Sequence, residues 1–134
     1  MDTALPVLIV DDSKPTAFIV RRLLRECGFA EFDFALNGLT AFAQMRRRRF
    51  GLILADVDMH PMNGLDLLKQ VRADCELRHT CFVLMSAFKD AGNVVAARQF
   101  DADAFMLKPF GAKHLAEKLA PLRRLRSKLG VLVS

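Results

Sequence analysis

The stretch Pro6-Val7-Leu8-Ile9-Val10, followed at once by Asp11 and Asp12, sets the fold. Its five apolar residues are strand length and do not alternate with polar ones. A continuous run of this kind suits a parallel strand buried on both faces. Similar runs recur at Leu52–Ala55, Cys81–Met85 and Ala104–Leu107. The run at Phe32–Leu36 differs, because Phe32, Phe34 and Leu36 alternate with Asp33 and Ala35. That pattern fits an edge strand with less cover.

Helical patterns separate the runs. Ala17, Val20, Leu24 and Cys27 follow 3-4-3 spacing, with Ser13 as N-cap, Pro15 in the first turn and Gly28 as the stop. Ala41, Phe42 and Met45 mark a second helix. Leu65, Leu68, Val71 and Cys75 mark a third, after the turn residues Asn63-Gly64. Asp90–Phe100 is a weaker fourth pattern. Leu115, Leu119 and Leu122 form a fifth, which Pro121 should kink or interrupt. Five β-α alternations predict an α/β fold, an open parallel sheet with helices on both faces and right-handed crossovers.

Length and composition narrow the function classes. The 134 residues suit one domain, spanning 1–134, with Gly130–Ser134 as a short apolar tail. Composition is 52% hydrophobic and 26% charged, which excludes a disordered or low-complexity chain. No apolar run approaches the ~18 residues of a membrane span, and Met1-Asp2-Thr3 lacks a basic signal-peptide start. Cys27, Cys75 and Cys81 form no paired framework and read as reduced, mostly buried thiols of a cytoplasmic protein. The net charge of +5 raises the question of nucleic acid. However, Arg46–Arg49 and the cluster Arg123, Arg124, Arg126 and Lys128 fall near expected helix C-termini, where cations are favoured, and no aromatic residues interleave them. A solvated face is the preferred reading, and no membrane partner is expected.

In open α/β sheets, ligands bind beyond the carboxyl ends of the strands. Asp11 and Asp12 follow the first run, Asp56 and Asp58 the third, Ser86 the fourth and Lys108-Pro109 the fifth. One of the paired aspartates could instead cap the first helix. If the first and third strands are neighbours, Asp11, Asp12 and Asp56 converge, and such carboxylates repel unless a cation shares the site. Oxygen ligands without nearby His or Cys favour Mg²⁺ over zinc. Carboxylates, a divalent cation, an ammonium and a hydroxyl suit phosphoryl transfer, with an aspartate able to act as nucleophile.

These residues resemble the receiver domain of bacterial two-component response regulators, of the stand-alone chemotaxis type. The motifs that carry the resemblance are Val7-Leu8-Ile9-Val10-Asp11-Asp12-Ser13, Leu54-Ala55-Asp56, Met62-Asn63-Gly64, Met85-Ser86-Ala87 and Lys108-Pro109-Phe110. They cover about residues 6–127, in fitting order and at fitting distances. The resemblance implies a flavodoxin-like (βα)5 sheet of order 2-1-3-4-5. It also implies that Asp56 is the phosphoacceptor. Asp11, Asp12, Asp56 and the backbone carbonyl of Asp58 would hold Mg²⁺. Lys108 and Ser86 would contact the phosphoryl oxygens, and Phe105 would be the switch aromatic. The implied partners are a sensor histidine kinase or phosphotransfer protein and a separate effector that reads the face of the fourth helix, fifth strand and fifth helix; a homodimer stays open. Lys108-Pro109 is a cis candidate.

Two departures stand out. The family usually has Met-Pro three and four residues after the phosphoacceptor, whereas this chain reads Met59-His60-Pro61 and should take a different path there. Bulky Phe88, two residues beyond Ser86, should slow loss of the phosphoryl group by limiting water access. His60, His79 and His114 have no supporting partners in the sequence. The alternative enzyme reading is a phosphatase of the haloacid dehalogenase type using Asp56 and Asp58. Against it, that family carries its Asp-x-Asp pair on the first strand of the core, and this pair follows the third.

Overall fold

The computed structural model describes residues 5–87 and 91–128. Five strands alternate with helices: β1 (Val7–Val10), α1 (Lys14–Glu26), β2 (Phe32–Ala35), α2 (Gly38–Arg47), β3 (Leu52–Asp56), α3 (Gly64–Ala73), β4 (Cys81–Ser86), α4 (Ala91–Gln99), β5 (Ala104–Leu107) and α5 (Ala112–Leu119). A short α6 (Arg123–Lys128) follows. All strand pairs are parallel, in the order β2-β1-β3-β4-β5. This is the expected flavodoxin-like arrangement, with the alternating strand at the edge.

The unbroken apolar runs have the cause expected of them. Every residue of β1, β3 and β4 is buried, so both sides of each strand meet a helix layer. Val7, Ile9, Leu52, Leu54, Val83 and Met85 pack toward α1 and α5. Leu8, Val10, Ile53, Ala55, Phe82 and Leu84 pack toward α2, α3 and α4. On the edge strand, Phe32 and Phe34 are only half-buried, and Ala35 is the buried residue. Leu36 lies past the strand end and is exposed.

Local signals also hold. Ser13 caps α1 by accepting from the Thr16 amide at 3.4 Å, Pro15 sits in the first turn, and Gly28 stops the helix with φ 105°. This leaves neither Asp11 nor Asp12 as the cap. Asn63 caps α3 by accepting from the Asp66 amide at 2.8 Å. The helix after β5 ends at Leu119, beside Pro121, and α6 starts two residues later.

Two expectations are corrected. Cys75 lies beyond α3 and is exposed, Cys27 is half-buried, and only Cys81 is fully buried, so the thiols are not mostly interior. Arg123 and Arg124 open α6 rather than closing α5, so the helix dipole is not what places them there. Gly130–Ser134 and Phe88 lie outside the described residues.

Candidate functional site

The C-terminal ends of β1, β3, β4 and β5 deliver their polar residues to one edge of the sheet. The register sets Val10 beside Ala55 and Asp56 beside Met85, so Asp11 and Asp56 flank the same crevice. Asp11 is buried, and its backbone amide donates to the Ala35 carbonyl at 3.0 Å. Its Oδ1 accepts from the Ser13 amide at 2.9 Å. Asp56 is 7% exposed, and its Oδ1 accepts from the Asp58 amide at 3.2 Å. Asp12 stands at the exposed rim. Carboxylate oxygens of Asp11, Asp12 and Asp56 all lie within 4.8 Å of one another.

Lys108 reaches into this cluster from the end of β5. Its Nζ donates to Asp11 Oδ2 at 3.0 Å and to Asp56 Oδ2 at 3.1 Å. Its own amide donates to the Ser86 carbonyl at 2.8 Å, which ties the β5 exit to the β4 exit. Ser86 is fully buried at the end of β4. The Lys108-Pro109 bond is cis, as expected.

The electrostatics follow from burial against charge. Burial pushes the Asp56 carboxyl above its ordinary range; Lys108 opposes the shift without cancelling it, and Asp11 adds to it. Burial acts against the charge of Lys108, yet its hydrogen bond to Asp11 and the charges of Asp56 and Asp11 hold its pKa above the ordinary value. The donor set is all oxygen, with no imidazole or thiolate in the cluster. It fits a hard divalent cation such as Mg²⁺, which takes a few carboxylates and keeps several waters.

The loop after Asp56 runs through Met59-His60-Pro61. His60-Pro61 is a second cis bond, and Met62 has φ 62°. Met59 is buried, whereas Asp58 and His60 are exposed. The Met62 carbonyl accepts from the Gly38 amide at 2.9 Å, which braces the loop on the start of α2. Phe105 is half-buried on β5, opposite Leu84 in the register and next to α4 residues.

Two glycines make close approaches that the sequence does not announce. A Cβ on Gly64 would lie 2.3 Å from the Asp56 carbonyl oxygen, and one on Gly38 would lie 2.6 Å from the Met62 carbonyl oxygen. In the sequence Gly64 stands out only as a turn residue and within Met62-Asn63-Gly64, and neither announces its contact with Asp56.

A doubly wound sheet with a buried acidic crevice and a bridging lysine at its carboxyl edge defines a protein class built around phosphoryl acceptance. The response regulator receiver domain model matches residues 7–120, and the chain belongs to that family. It is 38% identical over 113 residues to chemotaxis protein CheY-3 of Vibrio cholerae, covering 84% of this chain and 87% of that protein. It is 34% identical over 113 residues to chemotaxis protein CheY of Pseudomonas aeruginosa, covering 84% and 91%. Among solved structures, the receiver domain of a signal transduction histidine kinase from Syntrophus aciditrophicus superposes with TM-score 0.80, at 30% identity, covering 98% of this chain and 95% of that one. CheY4 of Vibrio cholerae gives TM-score 0.78 at 27% identity, covering 88% and 98%.

The chain is therefore a response regulator receiver, a phosphoacceptor switch of two-component signalling. Receivers generally bind Mg²⁺ and interact with histidine kinases and downstream targets. The haloacid dehalogenase alternative gives way to this family, and Asp58 is exposed rather than part of the buried cluster. Among the described residues, no helix is long and apolar enough to cross a membrane.

Proposed function

We infer that Asp56 accepts the phosphoryl group, from a phosphohistidine on a sensor histidine kinase or a phosphotransfer protein. The observation that carries this reading is the Lys108 ammonium, hydrogen-bonded to both Asp11 and Asp56 in a buried crevice. In the transfer, an Asp56 carboxylate oxygen bonds to phosphorus as the P–N bond breaks. The imidazole departs with the bonding electron pair and takes up a proton. Charge spreads over the three equatorial oxygens in such a step, so catalysis is mainly positioning and neutralisation. Lys108 would meet one of these oxygens and the Ser86 hydroxyl another.

Asp11, Asp12, Asp56 and the carbonyl of Asp58 would hold Mg²⁺. Once bound, that ion neutralises charge on the phosphoryl group and on its acceptor. The cluster's mutual repulsion supports this part of the reading, since the cation relieves it.

Output would pass to a separate effector protein, as the near full-length match to chemotaxis proteins suggests. Ser86 would turn toward the phosphoryl group and Phe105 would follow it inward. This would reshape the groove of about 420 Å³ lined by Val94 and Ala97 on α4, Ala102 in the loop before β5, Phe105 on β5 and Lys118 on α5. Only differential contacts shift a two-state equilibrium, and the phosphoryl contacts of Lys108 and Ser86 exist in the modified state alone.

Incubation with acetyl phosphate and Mg²⁺, followed by intact-mass measurement and peptide mapping, tests the assignment. One phosphoryl group should appear on Asp56 and be absent from Asp56→Asn. Labelling elsewhere, or none in wild type with a cognate kinase, overturns it.

A further inference from the structure

The run Arg46-Arg47-Arg48-Arg49 is split by its contacts. Arg46 pairs with Asp74, while Arg48 pairs with Glu31 at 2.7 Å and with Asp33 at 2.8 Å. The Arg47 and Arg49 side chains make no ion pair or hydrogen bond among the described residues. All four line a concave cleft of about 380 Å³ between the end of α2 and the segment joining α3 to β4. Phe50, Leu77 and Thr80 form its walls. Phe50 precedes β3 and Thr80 precedes β4, so the cleft lies at the amino edge of the sheet, opposite Asp56.

A helix C-terminus favours cations, which accounts for arginine within the last turn of α2. It does not account for Arg49, which lies beyond the cap residue Arg48. Two unpaired guanidiniums in one concavity present planar donor forks that match phosphate oxygens. The volume falls in the range of small-ligand pockets.

We propose that this cleft binds a compact, multiply charged phosphate anion, either inorganic or the phosphate moiety of a nucleotide, with Arg47 and Arg49 as its charged contacts. The surroundings select a compact ligand. Glu76 lines the cleft, and the cleft's other two arginines are already paired, Arg46 with Asp74 and Arg48 with Glu31 and Asp33. An extended polyanion such as nucleic acid would find only two uncommitted guanidiniums here and carboxylates beside them. Glu76 itself lines the cleft and opposes the bound charge, so its removal should strengthen binding.

The test is an amide-resolved NMR titration of the full chain with sodium pyrophosphate, in Mg²⁺-free buffer at near-physiological ionic strength. Saturable shifts should appear at residues 46–50 and 77–80. Arg47→Ala/Arg49→Ala, with its spectrum still dispersed, should bind at least about tenfold more weakly, and Glu76→Gln a few-fold more tightly. No saturation by about 10 mM, shifts confined to the Asp11–Lys108 edge, or equal binding by the double variant overturns the proposal. A parallel arm with AMP and ADP separates a nucleotide source from an inorganic one. An oligonucleotide that outcompetes pyrophosphate with steep salt dependence overturns the compact-ligand assignment.

Discussion

Gly64 packs so closely on Asp56 that a Cβ at position 64 would lie 2.3 Å from the Asp56 carbonyl oxygen and 2.9 Å from its carbonyl carbon. The obstacle is backbone at the end of a central strand, which cannot swing aside as a side chain would. The first turn of α3 is thereby pressed against the residue proposed to carry the phosphoryl group. Gly64→Ala should destabilise the protein by about 1–3 kcal/mol, as overpacking does. It should also slow acetyl-phosphate labelling by displacing Asp56. Chemical denaturation and labelling rates check both effects; wild-type stability would show that the start of α3 yields freely.

Replacing Asp56 should stabilise the metal-free protein. Burial, the largest influence, raises the Asp56 carboxyl above its ordinary range. The native state thus holds that proton more tightly than the unfolded chain does. Ionisation costs folding free energy above the native pKa, and the cost is relieved as pH falls through that value. Asn carries no such cost. Asp56→Asn should therefore melt higher near neutral pH without Mg²⁺, by on the order of 1 kcal/mol or about 4 °C. The gain should shrink on acidification and on adding Mg²⁺ to wild type. Melting curves across pH, with and without Mg²⁺, decide it.

What was legible in the sequence was whatever local chemistry imposes. Buried parallel strands must be apolar on both sides, so β1, β3 and β4 announced themselves as unbroken runs. The Ser13 cap acts within three residues, whereas Asn63, legible as a turn residue, also caps α3. The residues at the strand ends were readable because strand direction sends them all to one edge, and the structure brings Asp11, Asp12, Asp56 and Lys108 together there. Contacts between distant segments were not readable. Nothing near Gly64 in the sequence announces that Asp56 lies against it. Likewise, Arg124 looked like the end of a helix because its partners, Asp101 and Asp103, lie more than twenty residues away.

Lys108 balances two carboxylates, so its loss should change metal affinity and stability in opposite senses. Lys108→Met leaves Asp11 and Asp56 buried without their counter-charge. This should cost about 3 kcal/mol in Mg²⁺-free buffer, since breaking a buried pair is expensive. The raised pKa of Lys108 means that its stabilising charge is present throughout the neutral range and is lost only as alkaline pH passes through the native value. Without the competing ammonium, a divalent cation should bind several-fold more tightly, and Mg²⁺ should restore much of the lost stability. Mg²⁺ titrations followed by thermal melting measure both quantities. Unchanged or weaker Mg²⁺ binding would place the cation away from this cluster.

At the opposite edge of the sheet, Asp103 joins four segments, and its removal should cost more than that of any one partner. Its Oδ2 accepts from the Phe82 amide at 2.7 Å and from Arg72 Nη2 at 3.0 Å. Its Oδ1 accepts from Arg124 Nη1 at 2.7 Å, which pins α6 to the start of β5. Arg72 is itself mostly buried and also donates to the carbonyls of Arg78, Thr80 and Asp101. Asp103→Ala would leave a buried guanidinium without its principal counter-charge and a strand amide without an acceptor, at a cost of about 3–5 kcal/mol. Arg124→Ala should cost only about 1 kcal/mol, because Arg124 is more exposed and Arg72 still compensates Asp103. Urea denaturation of the two variants should reveal this asymmetry. Equal costs would mean that the main role of Asp103 is to hold α6 rather than to compensate Arg72 and the β4 backbone.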